Sequence, residues 1–436
     1  MSRASALDGP ARGGMLASVR GNPRFGRLWL SNLFFFGGAW TQTLVLGWFI
    51  FETTQSEFAV ALFTTARMAP MLAGPFAGAF ADRHDRTTLL IVANWWALAA
   101  SIVLAALVSA DLAPYWALLA GGLAIGLAQS PSQPARSSLV LDLVGREHLS
   151  NANALNSLAM NATQVVGPAL GGVLIGLVGV PVTLWISTAW YAIALVSVLP
   201  LRGAGTVLAP GTESATRMVI SGLRIISRNR LAATVLLITV AANIFIWPVF
   251  QSFMPVFAEQ SLGLGAGGLG VLLTCAGVGG LIGSLIIARL GDFRYKGGVF
   301  LFGTLAWALL WAVFAQSRSV VLSCALMAAI GVLGSTFGVL QTTLLLMTTR
   351  PSVHGRALGL QELAIGAMPL ASVALGAIAQ HVGTPWTTTM AALLLVGCLA
   401  ALAVATPALL PYSGTPRVRR LAASDDIPDM PHAYGR

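Results

Sequence analysis

The feature that most constrains this chain is a succession of long apolar stretches. A helix that crosses a bilayer needs roughly 20 mostly apolar residues. Twelve such stretches cover residues 27–50, 57–80, 88–109, 114–133, 154–178, 182–200, 231–257, 267–289, 297–315, 320–345, 357–381 and 386–410. They are too long for the strands of a membrane β-barrel, so helices must satisfy the backbone. The sequence therefore predicts an all-α membrane protein with twelve transmembrane helices.

The composition excludes both a soluble protein and a nucleic-acid-binding protein. Hydrophobic residues make up 56% of the chain and charged residues only 9%, whereas soluble domains are about 25% charged. The net charge is +10, but the basic residues are spread over short loops and form no single soluble face. We therefore expect a lipid bilayer as the surroundings and no nucleic acid as a partner.

Reactive side chains are sparse and lack the spacing of a chemical site. Cys275, Cys324 and Cys398 fall inside apolar stretches and are expected to be small buried residues. The five histidines are scattered without the spacing of metal ligands. We therefore expect no metal site, no catalytic group and no enzyme activity.

Basic residues indicate the orientation of the chain in the membrane. With twelve spans both chain ends lie on one side, and that side carries nearly all the arginines, including Arg86 and those of the segment 202–230. Of the basic residues in loops, the opposite side carries only Arg318. The positive-inside rule then places both termini in the cytoplasm and the chain as a multi-pass protein in the inner membrane.

The longest segment between apolar stretches divides the chain into two halves of six helices. We predict a cytoplasmic tail at 1–26, an N-terminal half at 27–201, a cytoplasmic linker at 202–230, a C-terminal half at 231–410 and a second cytoplasmic tail at 411–436. Part of the linker, about 216–228, is either a short amphipathic helix on the membrane surface or a plain basic tether. Asp82 ends the second stretch as Asp292 ends the eighth, which favours two pseudo-symmetric halves.

One turn between two apolar stretches carries a family resemblance. The sequence Gly78-Ala-Phe-Ala-Asp82-Arg83-His84-Asp85-Arg86 resembles the signature between the second and third helices of the major facilitator superfamily of secondary transporters. The resemblance extends over about residues 24–410. It implies the major facilitator fold and a conformational gating role for Gly78, Asp82, Arg83 and Arg86, with Asp292 as a degraded counterpart.

The fifth stretch contains a second family-like motif. Gly167, Pro168, Gly171 and Gly172 resemble the fifth-helix signature of the family's antiporters, which are mostly exporters. The alternative is ordinary close packing of small residues between helices. The segment 134–155 also looks like that of a bacterial branch that includes siderophore exporters and macrolide efflux pumps.

Two charged residues lie within predicted spans. Glu362 could take up and release a proton, which makes it the candidate for proton coupling. The alternatives are that Glu362 reaches the interface, or that Glu52 or Asp142 carries the proton. Arg67 stays protonated at any physiological pH, so it cannot carry the proton but could pair with an anionic group.

Polar and aromatic residues recur at helical spacing on the stretches that line the cavity in this family. Such a weakly polar, aromatic cavity suits large amphipathic solutes. For each residue the alternative is packing between helices or against lipid. The predicted cavity residues are Asn32, Phe36, Trp40, Arg67, Gln129, Asn243, Trp247, Gln251, Phe337 and Gln341.

The resemblance and the residues together predict a secondary active transporter. We expect it to export amphipathic small molecules, such as drugs or siderophores, by alternating access. The proton motive force would drive it without a bound cofactor, and the expected partners are the substrate, protons and lipid around a monomer. The alternatives are proton-coupled uptake of a small solute and a membrane sensor or scaffold that transports nothing.

The predicted orientation can be tested by labelling. A cysteine introduced at Ser214, within the segment 202–230, should not react with a membrane-impermeant maleimide added to intact cells. A cysteine introduced at Asp111, on the opposite side, should react and serves as the control. Labelling at position 214 from outside would show that the orientation is the opposite of the predicted one.

Overall fold

The structure is a computed structural model that describes residues 22–73, 85–203, 215–290, 293–350 and 353–413, and within these ranges it contains helices and turns but no strand. The α-helices are α1 Pro23–Thr54, α2 Glu57–Met68, α3 Arg86–Ser109, α4 Tyr115–Val198, α5 Ala215–Ser227, α6 Arg230–Phe245, α7 Met254–Val256, α8 Ala266–Leu290, α9 Lys296–Gln316, α10 Val320–Thr348, α11 His354–Gly366, α12 Met368–Val382 and α13 Thr384–Ala405. Short 3₁₀ turns follow α2, α4 and α13 at Ala69–Ala73, Leu199–Leu201 and Pro407–Leu409.

The helices agree with an all-α membrane protein. Nine helical segments among the described residues are long and apolar enough to cross a membrane. The eighth predicted stretch, 267–289, corresponds to α8, and the ninth, 297–315, corresponds to α9. The total of twelve spans stays a prediction, because the second stretch is described only as far as Ala73.

The long helix α4 folds back on itself twice and contains the fourth, fifth and sixth apolar stretches. Asn32 hydrogen-bonds to both Arg136 and Asn156, which would lie about 30 Å apart along one straight helix. The chain must therefore reverse between them. Gly37 packs against both Thr163 and Trp190, so a second reversal separates those two residues.

The second reversal of α4 falls at a glycine. Gly179 has φ +78°, a left-handed conformation that glycine adopts without steric cost. Pro181 follows two residues later, where the missing backbone N–H favours a turn over a continuous helix. The sequence-predicted boundary between the stretches 154–178 and 182–200 coincides with this turn.

Polar side chains join α1 to the other helices of the N-terminal half. The Thr41 hydroxyl donates to the carbonyl oxygen of Gly167 at 2.9 Å. Gln42 donates to the Ser101 hydroxyl, which in turn pairs with Thr188 at 2.5 Å. Inside a bilayer such bonds satisfy groups that no water could reach and also attach one helix to the next.

The C-terminal half is held by small residues and by aromatic rings. Gly279 of α8 packs directly on the backbone of Ala328 in α10, and Gly331 of α10 packs on that of Ala276. A side chain at either glycine would collide with a carbonyl oxygen, so only glycine allows this close approach. Beside this contact, Trp307 and Trp311 of α9 are fully buried against rings of α10 and of the segment after α6.

The seventh apolar stretch is not a regular helix. After α6 the chain forms two π-helical turns, Val249–Phe253 and Phe257–Ser261, on either side of the short α7. Pro248 and Pro255 interrupt the regular hydrogen-bond ladder in this region. The first π turn packs on α2 of the other half, so the distorted segment lies at the contact between the halves.

The linker contains the amphipathic helix that the sequence offered as one of two alternatives. α5 packs on α11, where Gly222 faces Leu360 and the backbone of Arg356. Ile226 is buried in this contact, whereas Leu223 is half exposed on the other side of the helix. A plain tether is therefore wrong for this part of the linker.

The two halves touch through glycine backbones near one end of the helices. Gly172 and Gly176 of α4 lie against Gly270 and Gly267 of α8. A Cβ atom built at Gly172 would lie 2.5 Å from the Cα of Gly270. These two helices therefore meet with almost no side chain between them.

Hydrogen bonds join the halves on the same side. The Thr65 hydroxyl donates to the carbonyl oxygen of Pro369 at 2.6 Å, and Gln380 donates to the Ser56 hydroxyl at 2.9 Å. We call the side that carries Ser56, Gln380 and Gly267 the outer face, following the predicted orientation. The opposite side, which carries the first residues of α1, α3 and α11, is the inner face.

Toward the inner face the described parts of the halves make fewer direct contacts. Leu281, Ile282, Leu285 and Leu290, along the inner part of α8, are each about half exposed. Gly366 of α11 still packs on Leu72, but the other contacts described between the halves lie on its outer side. Among the described residues, the contacts between the halves are therefore concentrated toward the outer face.

Substitution of Gly270 by valine should weaken closure of the outer face. A Cβ atom there would lie 2.7 Å from the backbone nitrogen of Val173, and overpacking of this kind costs about 1–3 kcal/mol, which shifts a two-state equilibrium roughly 5- to 150-fold. In a variant whose native cysteines are alanine, Ser252→Cys reports the opening, because Ser252 is fully buried in the π turn against α2.

The expected result is faster labelling of the Ser252→Cys reporter by a membrane-impermeant maleimide. Gly303→Val is the matched control, because no atom lies within 4 Å of a Cβ built at Gly303. Equal labelling rates in the two valine variants would show that the glycine contacts do not govern closure.

Candidate transport pathway

Most of the predicted gating motif lies outside the described residues. Gly78, Asp82, Arg83 and Asp292 belong to this group, so their role stays a prediction. Arg86 is described as the first residue of α3, after Asp85, whose carboxylate accepts from the backbone N–H of Thr88 at 2.7 Å and caps the helix.

Arg86 forms an ion pair within the N-terminal half. Its Nη1 lies 2.6 Å from the Oδ2 of Asp142, with only 5% and 13% of the two side chains exposed. Asp142 belongs to α4, so the pair ties the start of α3 to the inner part of α4. This partner makes Asp142 a structural residue of the inner face in the state described.

The glycines of the fifth-helix motif face two different neighbours. Gly167 and Gly171 pack on α1, beside Trp40 and Thr41, whereas Gly172 packs on α8 of the other half. Pro168 is half-buried between them. The motif therefore occupies the junction of one half with the other, and its assignment to antiport stays a prediction.

Glu362 lies on the face of α11 that looks toward the N-terminal half. It is one helical turn before Gly366, which packs on Leu72, and residues four apart share a face of a helix. The Glu362 side chain is exposed, whereas the adjacent Gln361 is buried and donates to Thr342 at 2.8 Å. Its place on the helix sets Glu362 beside the opening between the halves.

Arg67 lies inside the N-terminal half. Only 3% of it is exposed, its Nη2 donates to the carbonyl oxygen of Ala39 at 2.8 Å, and its guanidinium lies beside the Tyr191 hydroxyl. Its Nη1 has no hydrogen-bond partner. The charge therefore sits behind α1 in this state, and contact with an anionic substrate would require α1 to move.

A second buried arginine was missed by the sequence analysis. Arg136 was counted among the basic residues beyond the predicted stretch 114–133, but α4 continues through it and leaves it only 1% exposed. Gln129, Gln133 and Arg136 share one face of α4 at helical spacing. That spacing, continued past residue 133, was the signal that could have placed Arg136 inside the bundle.

Arg136 is surrounded by polar and aromatic groups of α1. Its Nη1 donates to the Ser31 hydroxyl at 3.2 Å and to the side-chain oxygen of Asn32. The Phe35 ring lies 4.5 Å and the Phe36 ring 5.7 Å from the guanidinium carbon, within the range of cation–π attraction. Two predicted cavity residues, Asn32 and Phe36, are therefore buried around this charge.

The predicted cavity residues of the C-terminal half divide into interior and half-buried positions. Phe337 is 1% exposed and stacks on Phe300 and Trp307, with ring centroids 5.5 and 5.4 Å away. Asn243 is also buried and donates to the carbonyl oxygen of Thr239. The half-buried members of the predicted set are Trp40, Gln129, Trp247, Gln251 and Gln341.

The described residues hold no group of three or more His, Cys, Asp or Glu side chains that could bind a metal ion. An apolar cavity of about 230 Å³ lies between α1 and α4, next to Phe34, Gly167 and Trp190. A larger one, of about 480 Å³, lies against Tyr295 and Phe302. Neither cavity contains a charged side chain, and both open on the sides of the bundle.

Removal of Arg86 should destabilise the N-terminal half. Arg86→Gln leaves the Asp142 carboxylate largely buried without its cation, and breaking a buried pair in this way costs about 3–5 kcal/mol. Fluorescence-detected gel filtration of heated, detergent-solubilised protein should show a lower midpoint of unfolding. The exposed Arg24 provides the control, and an equal loss in Arg24→Gln would mean that the ion pair contributes little.

The chain resembles known transporters in sequence. Residues 14–417 match the family of transmembrane secretion effectors. The Staphyloferrin A transporter of Staphylococcus aureus is 24% identical over 65% of this chain and 72% of that protein. The multidrug efflux pump Tap of Mycolicibacterium fortuitum is 25% identical over 77% of this chain and 84% of that protein. The enterobactin exporter EntS of Shigella flexneri is 27% identical over 70% of this chain and 73% of that protein.

Solved structures share the fold at low sequence identity. The nucleoside transporter NupG aligns with a TM-score of 0.68 at 14% identity and covers 89% of this chain and 99% of its own. A bacterial homologue of the human lysosomal transporter Spinster aligns with a TM-score of 0.64 at 14% identity, over 89% of this chain and 96% of its own. That structure has an inward-facing and unoccupied conformation. With the family match over most of its length, the chain belongs to the transmembrane secretion effectors of the major facilitator superfamily.

Proposed function

We propose that this transporter exports amphipathic anionic or neutral metabolites, of the siderophore and drug type, in exchange for protons. Three similar proteins support the substrate class, since they are named as a Staphyloferrin A transporter, a multidrug efflux pump and an enterobactin exporter. The weakly polar, aromatic surroundings of α1 and α6 suit such solutes. The exporter would act as a monomer, because one chain of this fold contains both halves.

The observation that carries the proposal is the asymmetry of the contact between the halves. The described halves are joined on the outer face through Gly172, Gly270 and the Gln380–Ser56 bond, and fewer contacts are described toward the inner face, where we place an opening. A solute from the cytoplasm would enter this opening, and rocking of the halves would then expose it to the outside. Glu362 lies on the face of α11 that borders the opening.

Glu362 would couple the movement to a proton. Closure of the inner face moves α11 against α2 and removes Glu362 from water. Burial of an ionised carboxylate without a compensating partner is costly. An empty transporter would therefore close over Glu362 only when the carboxyl is protonated, whereas a hydroxyl or amide of a bound substrate could donate a hydrogen bond to the ionised carboxylate. Outward movement with substrate and return with a proton together make an exchange.

Transport by purified protein in liposomes tests the proposal directly. An imposed proton gradient should drive accumulation of fluorescent amphipathic dyes, and a protonophore should abolish it. If dyes move only down their own gradient, proton coupling is wrong. If the protein takes up solute along with protons in the same direction, it is an uptake permease.

Glu362→Gln should separate binding from coupling. The amide mimics a permanently neutral carboxyl, so substrate binding should persist while the response of transport to the proton gradient disappears. Glu57→Gln, which changes an acid at the outer end of α2, is the control and should leave coupling intact. Proton-driven transport that persists in Glu362→Gln would indicate that Glu52 or Asp142 carries the proton.

A further inference from the structure

One buried charge has no role in the coupling scheme. Arg136 is 1% exposed, and its guanidinium is held from one side by Ser31 and Asn32. Asn32 donates to the side-chain oxygen of Asn156 at 2.5 Å. Helix α1 and two passes of α4 thus meet at this group, which we call the Arg136 cluster: Ser31, Asn32, Arg136 and Asn156.

The nitrogens of Arg136 that lack a hydrogen-bond partner lie along one edge of the guanidinium. Nη1 makes the hydrogen bonds to α1, whereas Nε and Nη2 are buried without any partner. Nε and Nη2 are the two nitrogens that point in parallel from the side of the group. This pair binds the two oxygens of a carboxylate in the bidentate manner typical of arginine.

The aromatic rings beside Arg136 contact its charge without satisfying the two nitrogens that lack partners. Phe35 lies closest to the guanidinium carbon, at 4.5 Å, and attracts the charge through its ring. Cation–π contacts satisfy the charge in part but do not replace the hydrogen bonds that Nε and Nη2 lack. Apolar rings beside an anion-binding edge suit a solute that combines an anionic group with an aromatic or aliphatic body.

Within the described residues no carboxylate neutralises this charge. The ion pair that the structure describes joins Arg86 to Asp142 and does not involve Arg136. A buried cation without a counter-charge is strongly unfavourable, and it is retained where another state or a ligand supplies the missing partner. A transported anion would supply it.

Arg67 does not offer the same site. Its Nη2 is bonded to the Ala39 carbonyl, and Nη1 is the nitrogen left without a partner. A carboxylate bound to Nη1 and Nη2 of Arg67 would have to share Nη2 with the Ala39 carbonyl, whereas both nitrogens of the Arg136 edge lack partners. The comparison favours Arg136 over Arg67, which the sequence analysis had offered for an anionic group.

We propose that the Nε–Nη2 edge of Arg136 binds the carboxylate of an anionic amphipathic substrate, with Asn32 and Asn156 holding the guanidinium in place. The proposal rests on the proposed export function and specifies its substrate class. Both nitrogens are buried in this state, so access requires the helices around Arg136 to move apart. Arg136 would thus recognise the substrate, while Glu362 handles the proton.

Binding of a matched pair of probes to the purified full chain in nanodiscs tests this proposal. Dansylglycine carries a carboxylate, and its methyl ester differs only in lacking the charge. Because a bidentate, charge-assisted pair is lost with the ester, we expect the acid to bind about tenfold more tightly or better. Arg136→Gln should remove the preference, and Arg136→Lys, which keeps the charge without the fork, should retain part of it.

Two further variants keep the result interpretable. Asn32→Asp supplies a carboxylate to Arg136 in nearly the same volume while giving up the bond that Asn32 donates to Asn156, so it should abolish the preference for the acid without lowering the midpoint of thermal unfolding. Arg24→Gln removes an equal charge from an exposed position and should change neither property.

The proposal is overturned if the parent protein binds neither probe, or binds acid and ester alike. It is also overturned if Arg136→Gln keeps the preference. These outcomes leave the export function intact, because proton-driven transport of neutral dyes does not depend on recognition of a carboxylate. Conversely, a preference for the acid without transport would count against the export function alone.

Discussion

The absence of water from the hydrocarbon core decides how this protein is built. A polar group inside the bundle that water cannot reach needs a partner in the protein or in a ligand. The Thr41–Gly167 and Ser101–Thr188 bonds meet this requirement within the N-terminal half, and they also fix its helices as one body. Between the halves such bonds are concentrated at the outer face. The same constraint thus makes each half rigid and leaves the junction between them separable.

The fold was predictable because bilayer thickness sets the length of each apolar stretch. The stretches 267–289, 297–315 and 320–345 differ by a few residues at most from α8, α9 and α10. The reversal at Gly179 was predictable for the same reason, since a gap in hydropathy and a glycine coincide there. The amphipathic part of the linker was one of two open alternatives, and its contact with α11 could not be read from the sequence.

The interior of the site was less predictable, because hydropathy does not tell which neighbour a residue meets. Arg136 lies at the end of an apolar stretch, where a basic residue ordinarily reaches water, yet α1 and the returning pass of α4 enclose it. Phe337 has the spacing of a cavity residue but stacks on rings of its own half. Asn32, Phe36 and Glu362 were selected by sequence, and their surroundings came only from three-dimensional contacts.

The glycine contacts on the outer face have a thermodynamic consequence. Where Gly172 meets Gly270 and Gly176 meets Gly267, closure immobilises no side-chain rotamers, so these contacts add little entropic penalty. An interlocked interface of long side chains would order many torsions at each closure and release them at each opening. Because these glycine contacts add almost no side-chain entropy cost, the balance between the two conformations depends chiefly on solvation of the cavity and on its occupant. Binding of one small ligand can then shift the conformational equilibrium of the whole chain.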